Sequence, residues 1–424
     1  MSLLRTIAYG ESNVGKVREH NEDSFVADAQ LGFFMVADGV GGGNAGEVAS
    51  AMLVELIHEE IATLHESLAA RKLPPHEQQE QLHRLMPKMV ERASELIYRK
   101  AMEDRQLRGM ATTAVLLMIL GERAIIAHVG DSRLYLMRRG TIFQITQDHS
   151  LAREMVEKGL LTEEEIPRFR YKNVILRSIG LQPTVLVDTL TMDILPGDSL
   201  LLCSDGLSDL VGRDQLKSIV LGHPPREAVQ QLIAAANDGG GSDNITAILV
   251  QVLGTPPPEQ VMATEQRAAF LSHVFLFEEL SFPEMLKVIQ CIHEHRVHKG
   301  EYVLRQGDDG DRLFLVATGS VEVRQEGVVL TRIGMGGHFG ELSLVSSGTH
   351  SADVLACEET MLLTISRSEF LELLHADHTL ATKLLWRFLL NLGNRVRDLS
   401  GQVSRLVRER EVGRSRTIPE ITKL

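Results

Sequence analysis

A chain of 424 residues exceeds what one hydrophobic core usually serves and points to two or three domains. Its 57 acidic and 44 basic side chains give a formal charge of −13, which argues against nucleic-acid binding, and no apolar run is long enough to span a bilayer. Cys203, Cys291 and Cys357 are too scattered for a disulfide framework or a zinc knuckle, and no signal-peptide pattern is seen, so a cytoplasmic setting is expected.

The first signal along the chain is MVADGVGGGNAGEVAS, residues 35 to 50, where an apolar run ends at Asp38 before a burst of glycines. Three readings stand. Gly41, Gly43 and Gly46 have the G-x-G-x-x-G spacing of a dinucleotide-binding turn. Alternatively, Asp38 is a metal ligand at a strand end where glycines permit close approach, or it is a solvated acid in an ordinary turn. A dinucleotide site needs a second strand some 30 residues on. Here AGEVASAMLVELIHEEIATL stays helix-periodic, which weakens that reading. Amphipathic stretches near 45–66 and 78–103 predict paired helices, and TTAVLLMIL, AIIAHVG and DSLLLCS predict strands. Clustered strands beside paired helices imply covered sheets rather than repeating βαβ units.

LGTPPPEQ, residues 253 to 260, breaks the pattern, because consecutive prolines continue neither a helix nor a central strand. Beyond it, Ser281 with Glu284 and Ser366 with Glu369 have capping-box spacing ahead of helices. Between them, short alternating strands with glycine punctuation, from EYVLRQGD to TMLLTIS, read as an all-β barrel or jelly roll. Leu385, Leu389, Leu392, Val396, Leu399, Val403 and Leu406 then alternate four- and three-residue steps, an a/d seam. Gly393 and Gly401 weaken that helix by about 1 kcal/mol each relative to alanine. The seam suits either a coiled-coil homodimer or a helix docked on its own domain.

Asp38 is one of several acids in turns or at strand ends. VREHNEDSF carries Glu22 and Asp23, HVGDSR carries Asp131, LLCSDGLSDL carries Asp205, and GGGSDNITAILV carries Asp243. Packed together without cations these acids would repel, and all-oxygen donors favour Mg²⁺ or Mn²⁺ over zinc.

The segments VGKVREHNEDSF, ADGVGGGNAGEVAS, ATTAV, AHVGDSRLYL, LTMDILPGDSLLLCSDGL and GGGSDNITAILV occur in the order found in the metal-dependent protein Ser/Thr phosphatases (PPM family, type 2C). The resemblance covers residues 5 to 253 and implies an α-β-β-α sandwich. It implies that Asp38 bridges two metal ions and that the Gly39 carbonyl reaches one of them. Asp205 and Asp243 would be further ligands. Asp23, next to Glu22, would support the centre partly through water, and Asp131 would help hold a weakly bound third ion. Arg18 would grip the substrate phosphate, for which a planar guanidinium is suited. Two Mn²⁺ or Mg²⁺ ions about 4 Å apart would then acidify a water and clamp an in-line displacement at phosphorus. Two departures stand out: Val40 follows Asp-Gly where some relatives carry His, and Phe169 in PRFRYKNVILRSIG replaces a His of many bacterial relatives.

Residues 270 to 375 resemble a cyclic-nucleotide-binding domain, through FLFEELSFPEMLKVI, GEYVLRQGDDGDRLFLVATGSVEV and HFGELSLVSSGTHSADVLA. Gly340 and Glu341 match its glycine and ribose-binding glutamate. His350, followed by Ser351, replaces the arginine that pairs with the cyclic phosphate. Losing a charge-assisted pair costs roughly 1.5–3 kcal/mol, so weak or absent cyclic-nucleotide binding is expected.

The expected organisation is α+β. A phosphatase domain spans 1–253, a Pro-containing linker 254–268, and a cyclic-nucleotide-binding-like jelly roll with flanking helices 269–378. A C-terminal helix follows at 379–411 and a frayed tail at 412–424. The expected activity is metal-dependent hydrolysis of phosphoprotein Ser/Thr phosphates under control of the second domain, on kinases or their substrates. The alternatives are a non-catalytic sensor or scaffold, and a phosphatase dedicated to one small regulatory partner. No nucleic-acid or membrane partner is expected.

Overall fold

The computed structural model describes residues 4–41, 45–71, 73–254, 267, 270–345 and 348–415. It comprises two compact units, Met1–Glu265 and Gln266–Leu424. Most of the expected linker, 255–266 with 268, lies outside the described residues, as does 269.

The first unit contains β1 (Arg5–Asn13), β2 (Asp23–Asp28), β3 (Phe33–Val40), α1 (Ala45–Arg71), α2 (Pro75–Glu103), β4 (Ala111–Thr112), β5 (Ala114–Leu120) and β6 (Arg123–Val129). It continues with β7 (Arg133–Arg138), β8 (Thr141–Gln144), α3 (Leu151–Glu157), β9 (Asp188–Asp193), β10 (Ser199–Cys203), α4 (Asp205–Ser208), α5 (Arg213–Gly222), α6 (Pro225–Asp238) and β11 (Ile245–Leu253). The strands form two antiparallel sheets. One is ordered β1-β11-β10-β7-β8; the other is β2-β3-β5-β6-β9, with β4 added to β3.

Period-two patterning explains the layers. Phe33, Met35 and Ala37 of β3 pack with Leu53, Ile57 and Ile61 of α1 and Met86, Val90 and Ile97 of α2. Phe34 and Val36, on the other face of β3, are equally buried, as the centre of a sandwich requires. Burying each α1 side chain of that stripe contributes about 2 kcal/mol, so a charge at Ile57 would break the α1 contact. The second sheet is covered by Leu216 and Val220 of α5 and by Val229, Leu232 and Ile233 of α6, over Leu201, Ala247 and Leu249. Helix α2 starts at Pro75, before the periodic pattern does, because proline suits a first helical turn.

The second unit contains α7 (Phe282–Gln290), β12 (His293–Val297), β13 (Tyr302–Leu304), β14 (Arg312–Thr318), β15 (Ser320–Gln325), β16 (Val328–Gly334), β17 (His338–Phe339), α8 (Leu342–Val345), β18 (Asp353–Ala356), β19 (Thr360–Ser366), α9 (Arg367–Ala376) and α10 (His378–Ser415). Its sheets are β12-β19-β14-β17 and β13-β18-β15-β16. Phe314, Val316, Val321, Val354 and Leu362 share one core. Leu313, Leu315, Leu363 and Ile365 point the other way, onto Met285, Phe370, Leu380, Leu384 and Phe388 of the helices. Both capping boxes form as spaced in the sequence.

Helix α10 shows why the seam had two readings. It docks through Leu380, Leu384 and Phe388, which are not seam positions. Of the seam, Leu385, Leu389 and Val396 are 42%, 62% and 62% exposed and Leu392 is half-buried. The side chains of Leu399, Val403 and Leu406 lie outside the described residues. The helix runs to Ser415, past the expected start of fraying at 412, and 416–424 are not described. No helix among the described residues is long and apolar enough to cross a membrane.

Candidate metal centre

Antiparallel pairing gathers the acids at strand ends. Asp23, the first residue of β2, lies opposite Asp38 near the end of β3. Asp131 follows β6 by two residues, Asp205 opens α4 two residues after β10, and Asp243 precedes β11 by two. These acids act on one another electrically. Burial is the first cause pushing the Asp38 carboxyl well above its usual range, and Asp23, Asp205, Asp131 and Asp243 add to it. Burial, then Asp205 and Asp148, raises Asp131 in the same way. Burial raises Asp23 to about 7 against hydrogen bonds from Thr246 and Ser204, and raises Asp205 to about 6 with help from Asp209 and Asp243.

Small polar residues brace the cluster. The Thr113 N–H and the Thr112 hydroxyl donate to the Asp38 carbonyl at 2.8 and 2.9 Å, and the Asp38 N–H donates to Thr113 Oγ1 at 3.1 Å. Ser204 and Thr246 donate to Asp23 Oδ2 at 2.8 and 2.6 Å, fixing one oxygen of that carboxylate. The glycines act by close approach: a Cβ on Gly39 would lie 2.3 Å from the Gly46 carbonyl oxygen, and one on Gly46 would lie 2.6 Å from Glu22 Oε2. They let the start of α1 press against the end of β3 beside Glu22. Gly42, Gly43 and Asn44 lie outside the described residues.

Arg18 is half exposed and donates to Asp243 Oδ2 at 2.8 Å. Its loop is pinned by Asn244, whose amide donates to the carbonyls of Val14 (3.0 Å) and His20 (2.9 Å) and accepts from the Glu22 N–H (2.9 Å). Nothing in the sequence marks Asn244, Ser204, Thr246, Thr112 or Thr113 as parts of the site, because a hydroxyl or amide in a strand-like run carries no sign of a partner more than 70 residues away. Val40 is 37% exposed at the end of β3, and Phe169 packs edge-on against Tyr171 at 5.8 Å.

The donor set fits a hard divalent cation. Asp23 Oδ1, Asp131 Oδ1 and Asp205 Oδ1 are buried with no hydrogen-bond partner among the described residues, and an unpaired buried carboxylate oxygen is costly. Two like charges 4 Å apart repel by roughly 4 kcal/mol at an effective dielectric of 20, so the acids cannot all ionise without cations. Among the described residues no three His, Cys, Asp or Glu side chains form a ready cage for one ion. Mg²⁺-like ions need none, since they keep several waters and take one or two carboxylates.

In the second unit Gly340 has φ +78°, and a Cβ there would meet the Arg312 carbonyl oxygen at 2.6 Å. Glu341 is buried, Ser351 is exposed, and the His350 N–H donates to the Asp308 carbonyl at 2.8 Å. A cavity of about 440 Å³ is lined by Tyr302, Arg305, Arg312, Phe314, His350 and the acids Asp308, Asp309 and Asp311, among others. Of the four predicted ligand residues only His350 is in that lining. Reading position 350 alone missed two permanent cations, Arg305 and Arg312, that the fold brings to the same cavity.

Comparison with known proteins agrees with this division. Residues 14–249 match the protein phosphatase 2C family, and residues 294–377 match the cyclic nucleotide-binding domain. The chain is 35% identical over 241 residues to serine/threonine phosphatase stp of Listeria welshimeri, covering 56% of this chain and 92% of that protein. It is 34% identical over 250 residues to protein phosphatase PhpP of Streptococcus pneumoniae, covering 57% and 95%. Among solved structures it resembles the Mycobacterium tuberculosis phosphatase PstP/Ppp (31% identity, TM-score 0.53, covering 59% of this chain and 99% of that one). It also resembles the PstP catalytic domain in complex with two manganese ions (32% identity, TM-score 0.52, covering 59% and 100%). With its buried strand-end acids inside the matched region, the chain belongs to the protein phosphatase 2C family of serine/threonine phosphatases, and carries a cyclic-nucleotide-binding domain after it.

Proposed function

We propose that the first unit hydrolyses phosphate monoesters on Ser and Thr side chains of proteins, using two Mn²⁺ or Mg²⁺ ions and a weaker third. The observation that carries this is the group of buried acids, with three carboxylate oxygens that have no hydrogen-bond partner among the described residues. Asp38, the Gly39 carbonyl, Asp205 and Asp243 would hold the main pair, Asp23 with Glu22 would support it, and Asp131 would serve the third. When bound, such ions supply an acidified water and a clamp on the transferring phosphoryl group. The chain's own contribution is positioning. Ser204 and Thr246 hold one Asp23 oxygen, leaving the other, buried Oδ1, as the one to meet a metal ion or its water. Thr112 and Thr113 fix the backbone of Asp38, and Asn244 holds the loop that presents Arg18. Arg18 exchanges its Asp243 partner for phosphoryl oxygens, which its fork matches. Val40 offers no proton to the leaving alkoxide, so no side chain at that position acts as the acid.

The second unit is read as a regulatory module with a mixed-charge cavity, in a cytoplasmic phosphatase whose substrates are kinases or kinase substrates. The test is release of phosphate from a phosphothreonine peptide by the full chain with Mn²⁺, with EDTA, and with added cyclic AMP or cyclic GMP. Activity that survives EDTA would overturn the metal mechanism. Rates indifferent to both nucleotides at millimolar concentration would overturn control by them.

A further inference from the structure

We propose that His149 is a positioning residue that ties the turn carrying Asp131 to the base of the Ser150–Gly180 excursion between β8 and β9. The proposal rests on the reading of Asp131 as part of the metal centre. His149 is buried and bonds in three directions. Its N–H donates to the Gly130 carbonyl at 2.7 Å, and the Gly130 N–H donates back to its ring Nδ1 at 3.1 Å. The residue before Asp131 is thus clasped by the main chain and the ring together. The His149 carbonyl accepts from the Leu176 N–H at 2.7 Å, at the returning end of the excursion. With Nδ1 accepting from Gly130, the neutral ring carries its proton on Nε2, which lies 3.3 Å from Asp188 Oδ2 and 3.2 Å from Arg177 Nη1. Arg177, also on the returning limb, donates to the other oxygen of Asp188 at 2.8 Å. His128, buried, packs against the ring at 4.8 Å with the two planes inclined at 37°.

The clasp reaches the cluster by a second route. Gly130, at φ +108°, lies so close to Thr113 that a Cβ would meet the Thr113 Cβ at 2.6 Å. Thr113 bonds both Ser132 and the backbone of Asp38. One imidazole therefore sets the turn before Asp131 on one edge and the root of the excursion on the other, as outer partners of metal ligands commonly do.

The two edges can be tested separately in the full chain. His149→Asn keeps an acceptor where Nδ1 sits and removes the Nε2 donor. His149→Gln does the reverse. The Gln variant should raise the Mn²⁺ concentration for half-maximal turnover by about 10- to 100-fold and speed amide exchange at Gly130. The Asn variant should leave the Mn²⁺ requirement near that of the wild type, raise KM for a phosphopeptide, and speed exchange at Leu176 and Ile179. Asp188→Asn should copy the Asn variant, because it leaves the Gly130 bond intact. Exchange is read on the metal-free protein as well, so it reports on the clasp whether or not turnover is seen. Absence of Mn²⁺-dependent turnover in the wild type would count against the functional reading alone. Identical exchange and kinetics in the Asn and Gln variants, whether both wild-type or both impaired, would overturn the two-edged role.

Discussion

The two units each gather charge into a hollow, and they do so in opposite ways. The first packs acids of one sign into the interior, fixes one of them with hydroxyls, and leaves carboxylate oxygens without partners among the described residues. The second mixes signs at an open cavity where both cations already have partners: Arg312 lies 3.5 Å from Asp311, and Arg305 lies 4.0 Å over the Tyr302 ring. A buried cluster of one sign is incomplete until a cation arrives. An exposed mixed one is complete already, and a ligand there must displace existing pairs.

The strongest way to break this contrast is to remove an acid. Asp38→Asn or Asp205→Asn should lower Mn²⁺-dependent turnover by at least about 100-fold, since several kcal/mol of transition-state stabilisation depends on the ions. Circular dichroism should show the fold unchanged; full activity in either variant would place the chemistry elsewhere.

Next in size is the second cavity. Wild-type binding of cyclic AMP or cyclic GMP should be weak by calorimetry, and His350→Arg should tighten it by about 10- to 100-fold, the value of a charge-assisted pair. Arg305→Ala sharpens the question. If Arg305 already grips the phosphate, this variant will abolish wild-type binding and His350→Arg will add little.

A third prediction concerns the metal-free protein. Folding raises the Asp23 and Asp205 carboxyls to about 7 and 6, so the folded state binds more protons than the unfolded one above pH 4. Their contribution to stability is fully present below their unfolded values near 3.9 and is lost as pH rises through 6 and 7. Melting of the EDTA-treated chain should therefore fall between pH 5 and 8, and Mn²⁺ should restore it at pH 8. Asp38→Asn, inactive by the first prediction, should raise the metal-free melting temperature by several degrees, at about 2–4 °C per kcal/mol for a domain of this size. A melting temperature unchanged by pH, metal and substitution alike would mean that the acids are not strained.

The smallest effect is a doubling of mass. Leu385, Leu389 and Val396 form an apolar stripe that α10 leaves exposed, which suits a second copy. Light scattering at tens of micromolar should show a dimer, and Leu389→Asp with Val396→Asp should give monomers. A monomeric wild type would assign the stripe no partner helix.

Much of the fold and the acid set could be read from the residues themselves. Asp38, Asp131, Asp205 and Asp243 were visible because a charged residue next to glycine or serine at the end of an apolar run is unusual chemistry in a recognisable place. Their braces were not. Thr246 reaches Asp23 across 223 positions, and Asn244 reaches Val14 across 230; the β1–β11 pairing brings the end of the unit back to its start, and Asp23 is met from the other sheet. The α10 stripe was legible as a stripe but not as the undocked face, because periodicity reports that a helix has an apolar side without saying which side meets its domain. Arg305 and Arg312 were missed because one follows β13 and the other opens β14, strands that belong to different sheets.

The pairing of β1 with β11 over nine residues also sets an order in time. On the ribosome Asp23 and Arg18 emerge early, while Thr246, Asn244 and Asp243, which complete their surroundings, are among the last residues of the unit to be made. Until then the nascent chain holds acids and a cation without their partners, so this unit cannot mature stepwise from its amino end. A transcript cut short before residue 243 should yield no weakened enzyme, only a chain unable to close its sheet.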